Sequence, residues 1–184
     1  MKIMIASDIH GSAEYCEAFL NAYNEEAPDK ILLLGDILYH GPGNSLPNDY
    51  DTQRTMEILN DLKDEISAVR GNCDSEVDQM VLKFPLMNTY EIVEADGIKL
   101  FATHGHHYSP DNPPPFVEFD VLLNGHTHIS MLADCGEFYY ANPGSVSIPK
   151  GGTTHSYMIC ENRMLTIKNL LTMDEIDKMY IKKK

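Results

Sequence analysis

The apolar positions of this chain come in short runs, each closed by a polar cluster, and their spacing changes along its length. Residues 2–7 (KIMIAS) are mostly apolar over a strand's length and predict a buried strand. Ser12 opens a helix predicted over about 13–26, where Tyr15, Cys16, Phe19, Leu20 and Tyr23 recur at helical spacing and Pro28-Asp29 stops the pattern. Residues 30–35 (KILLLG) are continuous in Leu and Ile, as central strands of parallel sheets are. After the turn-rich HGPGNSLPNDYD, Met56, Leu59 and Leu62 mark one face of a helix over about 52–64, and ISAVR at 66–70 gives a third strand. This βαβαβ order implies a parallel sheet with right-handed crossovers.

The second half changes character. YEIVEADGIKLFATH reads as two strands turning at Asp96-Gly97, a strong hairpin signal. The proline-rich SPDNPPPF predicts a rim loop, and DVLLNG and FYYANPGS predict two more strands. SYMICENRMLTIKNL reads as a hairpin turning at Glu161-Asn162. Parallel units followed by hairpins predict two mixed β-sheets packed face to face and flanked by helices. With no repeat or linker, residues 1–184 are expected to form a single domain.

Composition narrows the partners. At 43% hydrophobic and 23% charged residues the chain has ample apolar material for a core. Its formal net charge is −14, from 28 acidic against 14 basic residues. Nucleic-acid binding draws on Lys and Arg releasing counterions, so a nucleic-acid polymer is not the expected partner. A small phosphate ester held through metal ions is compatible with that charge. No segment reaches the roughly 20 apolar residues of a membrane span, and the first residues lack a signal-like run, so a cytoplasmic protein is expected. Cys16, Cys73, Cys135 and Cys160 form no CxxC pair and read as reduced thiols. Lys182-Lys183-Lys184 reads as a solvated terminus.

Candidate chemistry sits where the strands end. The first strand is followed by Asp8-Ile9-His10, the second by Asp36, the third by Gly71-Asn72, and later ones by His104-Gly105-His106 and Gly125-His126-Thr127-His128. In α/β sheets, ligands collect at the carboxyl ends of strands. Carboxylate, imidazole and amide oxygen suit Mn²⁺, Fe or Zn²⁺, and one carboxylate, Asp36, could bridge two such ions. Each piece alone is more often a turn or a surface pair; five in this order, each after an apolar strand, point to a shared metal site.

DxH…GD…GN…H…GHxH resembles the signature of the calcineurin-like metallophosphoesterases, from Asp8 through His128. The segments ASDIHGS, GDILYHGPGNSLP, AVRGNCDSEVDQM, THGH, GHTH and NPGSVSIPKGG are similar to the small bacterial phosphodiesterases of the YfcE type. The resemblance implies a four-layer αββα sandwich and two divalent ions, Mn²⁺ in this branch, with Fe, Zn²⁺ or Ni²⁺ as alternatives. Asp8, His10 and His128 would hold one ion, Asn72, His104 and His126 the other, and Asp36 both. A hydroxide bridging the ions would attack a small phosphodiester in line. A phosphomonoesterase on the same site and a non-catalytic scaffold, such as the retromer subunit sharing this fold, are the rival expectations.

One position departs from the wider pattern. A proton-donating His usually follows the Asn, and here Cys73 stands in its place, with Asp74 next as an orienter of a ligand. Asn72, Cys73 and His106 are expected to act on substrate, together with His40 at the pocket mouth. His107 reads as exposed, and Arg70 as paired with a local carboxylate rather than with substrate. Asn142-Pro143-Gly144-Ser145 reads as a turn supporting the GHTH loop. Loops 39–50 and 107–116 are expected to form the rim, and a homo-oligomer is possible.

Overall fold

The structure, a computed structural model, describes residues 1–183. A six-stranded sheet has the order β11-β10-β9-β1-β2-β3. Its parallel part is β1 (Ile3–Ala6), β2 (Lys30–Leu33) and β3 (Ile66–Ala68); its antiparallel part is β9 (Ser156–Glu161), β10 (Met164–Asn169) and β11 (Glu175–Tyr180). A five-stranded sheet has the order β4-β5-β6-β8-β7, with β4 (Tyr90–Ala95), β5 (Ile98–Thr103), β6 (Val121–Leu123), β7 (Met131–Asp134) and β8 (Tyr139–Asn142). Three helices complete the described residues: α1 (Ala13–Glu26), α2 (Thr52–Asp61) and α3 (Glu76–Val81).

Period-two alternation sorts the central strands between two cores even though both faces are buried. Met4, Ala6, Ile31 and Leu33 pack against Cys16, Phe19 and Ala22 of α1 and Ile58 and Leu59 of α2. Their neighbours Ile3, Ile5 and Leu32 point the other way, onto Leu100, Ala102, Val121 and Leu123 of the second sheet. This is the two-sheet sandwich that the sequence predicts. The outer face of the second sheet carries Phe101, Leu122 and Tyr140, covered by Tyr108, Val117 and Phe119 from a loop rather than by a helix. That loop contains Pro110, Pro113, Pro114 and Pro115, which lack amide donors and fix φ, so no helix can form there.

Several expectations need correcting. The parallel pairing of β5, β6 and β8 makes the second sheet mixed, as expected, but β6 reaches β8 through β7, an unexpected strand antiparallel to β8. The β9–β10 turn lies at Asn162-Arg163, whose φ values are 51° and 64°, because Glu161 still pairs with Met164 in the ladder. Three elements were not expected. β11 is an almost wholly exposed edge strand held by backbone pairing to β10, β7 is four residues long, and α3 buries no side chain. The one local signal for α3 is the capping box Ser75…Asp78. Of the basic C-terminal run, Lys182 and Lys183 are exposed and Lys184 lies outside the described residues.

The end of α1 is fastened by charge. Glu26 closes a helix with no basic residue in its last turn, an unfavourable sign for the helix dipole. Lys2 offsets this by reaching both the Glu26 backbone oxygen at 2.7 Å and its carboxylate at 2.6 Å. Lys168 of β10 and the Tyr157 hydroxyl of β9, the latter at 2.9 Å, also donate to that carboxylate. Burial alone would raise the Glu26 carboxyl, but these donors hold it at about 2, below its ordinary 4.5. A depressed carboxyl contributes stability above its unfolded value and loses it as pH falls through the folded one. Glu26→Gln should therefore cost about 1–2 kcal/mol at neutral pH after allowance for solvent screening, or roughly 3–6 °C in melting temperature. The deficit should vanish as pH falls from 4.5 toward 2. Melting curves across that range check this; a pH-independent deficit would assign the loss to packing instead.

Candidate metal centre

Each strand-end loop reaches the same point, and backbone hydrogen bonds lock the loops to one another. Asp8 N donates to Gly35 O at 3.1 Å, His10 N to Asp36 O at 3.0 Å, and Gly125 N to His104 O at 2.8 Å. The turns are sharp enough that Asp8, His10, Asp36, His126 and His128 all take left-handed φ values, 58°, 50°, 56°, 66° and 60°. For non-glycine residues this conformation costs of order 1–3 kcal/mol each and concentrates at functional sites. Two glycines are needed for clearance: a Cβ on Gly71 would lie 2.0 Å from Asp36 Oδ1, and one on Gly125 would lie 1.8 Å from Ser7 Oγ.

Three imidazoles are oriented by the chain itself. The Nδ1 of His10, His104 and His128 each faces a backbone carbonyl, at Tyr39 (2.8 Å), Leu34 (2.7 Å) and Ile148 (2.7 Å). Only Nδ1–H can satisfy those carbonyls, so Nε2 is the ring nitrogen left to turn inward, and it offers a lone pair to an ion once its own proton has left. The carboxylates are oriented by amides. Asp8 Oδ2 accepts from His126 N at 3.0 Å, and Asp36 Oδ1 from Cys73 N at 2.8 Å. Asp74, nearly fully buried, accepts from the amides of Asp36 (2.8 Å), Ile37 (2.8 Å) and Gly71 (2.7 Å) and so ties two of the loops together.

The inward atoms are spaced as ligands of an ion. Asp8 Oδ1 lies 3.5 Å from His10 Nε2 and 3.3 Å from His128 Nε2, and the two Nε2 atoms are 3.3 Å apart. Atoms bound at about 2.0–2.2 Å to one ion are separated by such distances. Asp8 Oδ1 is buried with no hydrogen-bond partner. A buried anionic oxygen costs free energy unless a charge satisfies it, and a cation would. The second cluster has Asp36 Oδ2 at 3.4 Å from His104 Nε2, which is 3.0 Å from Asn72 Oδ1. Asp8, His10 and His128 can thus hold one ion, and Asp8, Asp36 and His104 form a further candidate set. His126 sits at the rim, its ring 5.1 Å from that of His104. The donor set fits divalent metals.

Charge in this centre follows the same logic. Burial would raise the Asp8 carboxyl, yet His10 and His128 hold it well below the usual carboxylate range. Burial likewise opposes charge on His104, but Asp36 and Asp8 push it up to about 9. Ligation by Nε2 requires that proton to leave, so ion uptake is coupled to proton release.

The remaining sequence candidates lie around the rim. Cys73 is half-buried, and burial with Asp36 pushes its thiol up to about 12. His106 has a buried Nδ1 without a partner, and burial with His104 pulls it down to about 4. His40 also has an unpartnered buried Nδ1 and packs its ring edge-on to Tyr50. His107 is exposed and its ring lies 4.0 Å from that of His106. A cavity of about 390 Å³ beside the cluster is lined by Arg70, Gly71, Asn72, Met87, Thr89, His106 and His107. Another cavity, of about 880 Å³, lies elsewhere, lined by Pro113–Pro115 together with residues such as Lys99, Phe119 and Phe138, and shares no residue with the cluster. The rim expectation for 107–116 therefore narrows to its first residue, because the prolines turn away. Sequence reasoning placed Ser145 in a turn supporting the GHTH loop and did not single out Ser147; the hydroxyls of both donate instead to Asp8 O, at 2.8 and 3.1 Å. The Asn142 amide donates to Gly125 O at 2.8 Å and so holds the GHTH loop.

Comparison with known proteins agrees with this geometry. Residues 1–164 match the calcineurin-like phosphoesterase superfamily domain. The chain is 46% identical to phosphodiesterase YfcE of Escherichia coli K12 over 167 residues, 91% of each chain. The solved structure of that phosphoesterase superposes with a TM-score of 0.95, covering 99% of this chain and 100% of its own. Vps29 of Entamoeba histolytica, complexed with zinc, shares the fold at 20% identity and a TM-score of 0.65, covering 97% of this chain and 98% of its own. The chain belongs to the calcineurin-like phosphoesterase superfamily.

Proposed function

We propose that this chain is a dinuclear metal-dependent phosphodiesterase acting on small phosphodiesters. The observation that carries the reading is the position of Asp36 Oδ2, 3.7 Å from His10 Nε2 and 3.4 Å from His104 Nε2. One carboxylate thus faces both clusters. Asp8, His10 and His128 would hold the first ion, Asn72, His104 and His126 the second, and Asp36 would be common to both. Mn²⁺ is the proposed metal, in a single-domain cytoplasmic enzyme that does not take nucleic-acid polymers and can form a homo-oligomer. The likeness to a phosphodiesterase at 46% identity supports a diester substrate. The cavity beside Asn72 gives room for the second ester arm that a monoester lacks.

When bound, the dications supply Lewis acidity that lowers the pKa of water and neutralises charge on the phosphoryl oxygens. The chain's residues fix the geometry and exclude alternatives. Carbonyl-anchored imidazoles keep their Nε2 lone pairs aimed, and Asp74 holds the Asp36 loop through its amides. His106, neutral at pH 7, can offer an N–H to a phosphoryl oxygen but cannot serve as a strong acid. Cys73 stays a neutral thiol and gives up a proton poorly. The leaving oxygen therefore departs without a well-matched general acid.

Two tests follow. Purified protein should hydrolyse bis-p-nitrophenyl phosphate with Mn²⁺ and lose that activity to a chelator, and Asp36→Asn should fall to the chelated level. Equal rates with and without metal would overturn the reading. The second test uses leaving-group pKa. General acid catalysis is typically worth about 10²–10⁴-fold, so aryl diesters should be cleaved well and alkyl diesters poorly. Cys73→His should raise the alkyl rate, by up to about 10²-fold, far more than the aryl rate. A shallow dependence of log kcat/KM on leaving-group pKa, unaltered in Cys73→His, would show that an acid is already in place.

A further inference from the structure

The cavity beside the metal centre has an unusual charge for this chain. Of its seven lining residues none is acidic, although the protein carries 28 acidic residues against 14 basic. Its lining includes Arg70, one of three arginines in the sequence, together with His106 and His107. Met87 and Thr89 also line it, and the Arg70 amide donates to O of the intervening Asn88 at 2.8 Å, which fastens the two segments together. The guanidinium is held by its Nε, which donates to Asp74 O at 3.2 Å. Its nearest carboxylate contact is Nη2 to Glu76 at 3.9 Å, and Glu76 is 81% exposed. That distance is too long for a hydrogen bond, and so exposed a pair contributes little. The local pairing expected for Arg70 is therefore loose, and its terminal N–H groups remain available.

We propose that Arg70 makes this cavity a subsite for an anionic group carried on one ester arm of the substrate. The inference rests on the phosphodiesterase reading, since Asn72 joins the cavity to the candidate metal centre. The phosphoryl group would sit at the metals, one arm would run over Met87 and Thr89, and a carboxylate or phosphate at its end would meet the guanidinium. Planar guanidinium pairs such oxyanions bidentately, and its anchored Nε reduces the ordering that binding requires. In a strongly acidic protein, a cation anchored beside the reaction centre also selects against arms that end in a positive charge.

Three p-nitrophenyl phosphodiesters that share a leaving group isolate this subsite: one with a butyl arm, one with a 3-carboxypropyl arm and one with a 3-phosphonopropyl arm. Wild type with Mn²⁺ should turn over one or both anionic esters with kcat/KM roughly 10–100-fold above the butyl ester, the worth of a charge-assisted hydrogen bond. Which of the two is preferred distinguishes a carboxylate from a phosphate. In Arg70→Gln the ratio should fall to near one, and in Arg70→Lys it should be partly kept. Glu76→Lys, a change at an exposed position, should raise the ratio at low salt and not at high salt. Equal turnover of the three esters by wild type, a preference that survives in Arg70→Gln, or a ratio lowered by Glu76→Lys would each overturn the inference. Absence of metal-dependent turnover of even the butyl ester would instead overturn the phosphodiesterase reading, and this subsite with it.

Discussion

Two buried carboxylates, Asp8 and Asp36, face three buried imidazoles, with His126 and the Asn72 amide at the rim, and most of the molecule is arranged around that fact. Burying an anion is costly unless it is paired, and Asp8 Oδ1 has no hydrogen-bond partner, only the Nε2 atoms of His10 and His128 at 3.5 and 3.3 Å. The nearby ring nitrogens cannot all solve the problem, because three of them have committed their Nδ1–H to backbone carbonyls. What remains inward, once the Nε2 protons have left, is an array of lone pairs suited to a dication.

Holding these groups together requires strain that the rest of the fold absorbs. Five site residues with side chains occupy the left-handed region, where glycine would be easier. Glycine could not supply a ligand, so the conformation is kept and stabilised from outside. Asp74 gathers three amides from two loops, Ser145 and Ser147 share the Asp8 carbonyl, and Asn142 steadies the turn that presents His126 and His128. The strands behind them are short, three to six residues, and buried in two cores. A rigid sandwich with loops fixed at one edge is the arrangement that lets loop residues carry chemistry.

Much of this was legible in the sequence, and for identifiable reasons. Continuous apolar runs such as KILLLG mark buried strands, and the polar residues that break them mark the site, so Asp8, His10, Asp36, His104, His126 and His128 stand out by position alone. Elements with no buried face were not legible. β11 is exposed along nearly its whole length and α3 buries nothing, so neither has hydrophobic periodicity to read. The carbonyls of Tyr39, Leu34 and Ile148 that set the imidazole tautomers leave no side-chain trace. Arg70 illustrates a different limit. Its sequence neighbours suggest a salt bridge, and only distance and exposure show that the pairing is loose.

The central claim is that Asp36 is shared by two ions. Anomalous diffraction from crystals soaked in Mn²⁺ tests it directly. The account predicts two peaks about 3.5–4 Å apart, one beside Asp8, His10 and His128 and one beside Asn72, His104 and His126, with Asp36 bound to both. A single peak at full occupancy in active crystals, or two peaks with Asp36 bound to only one, would contradict it.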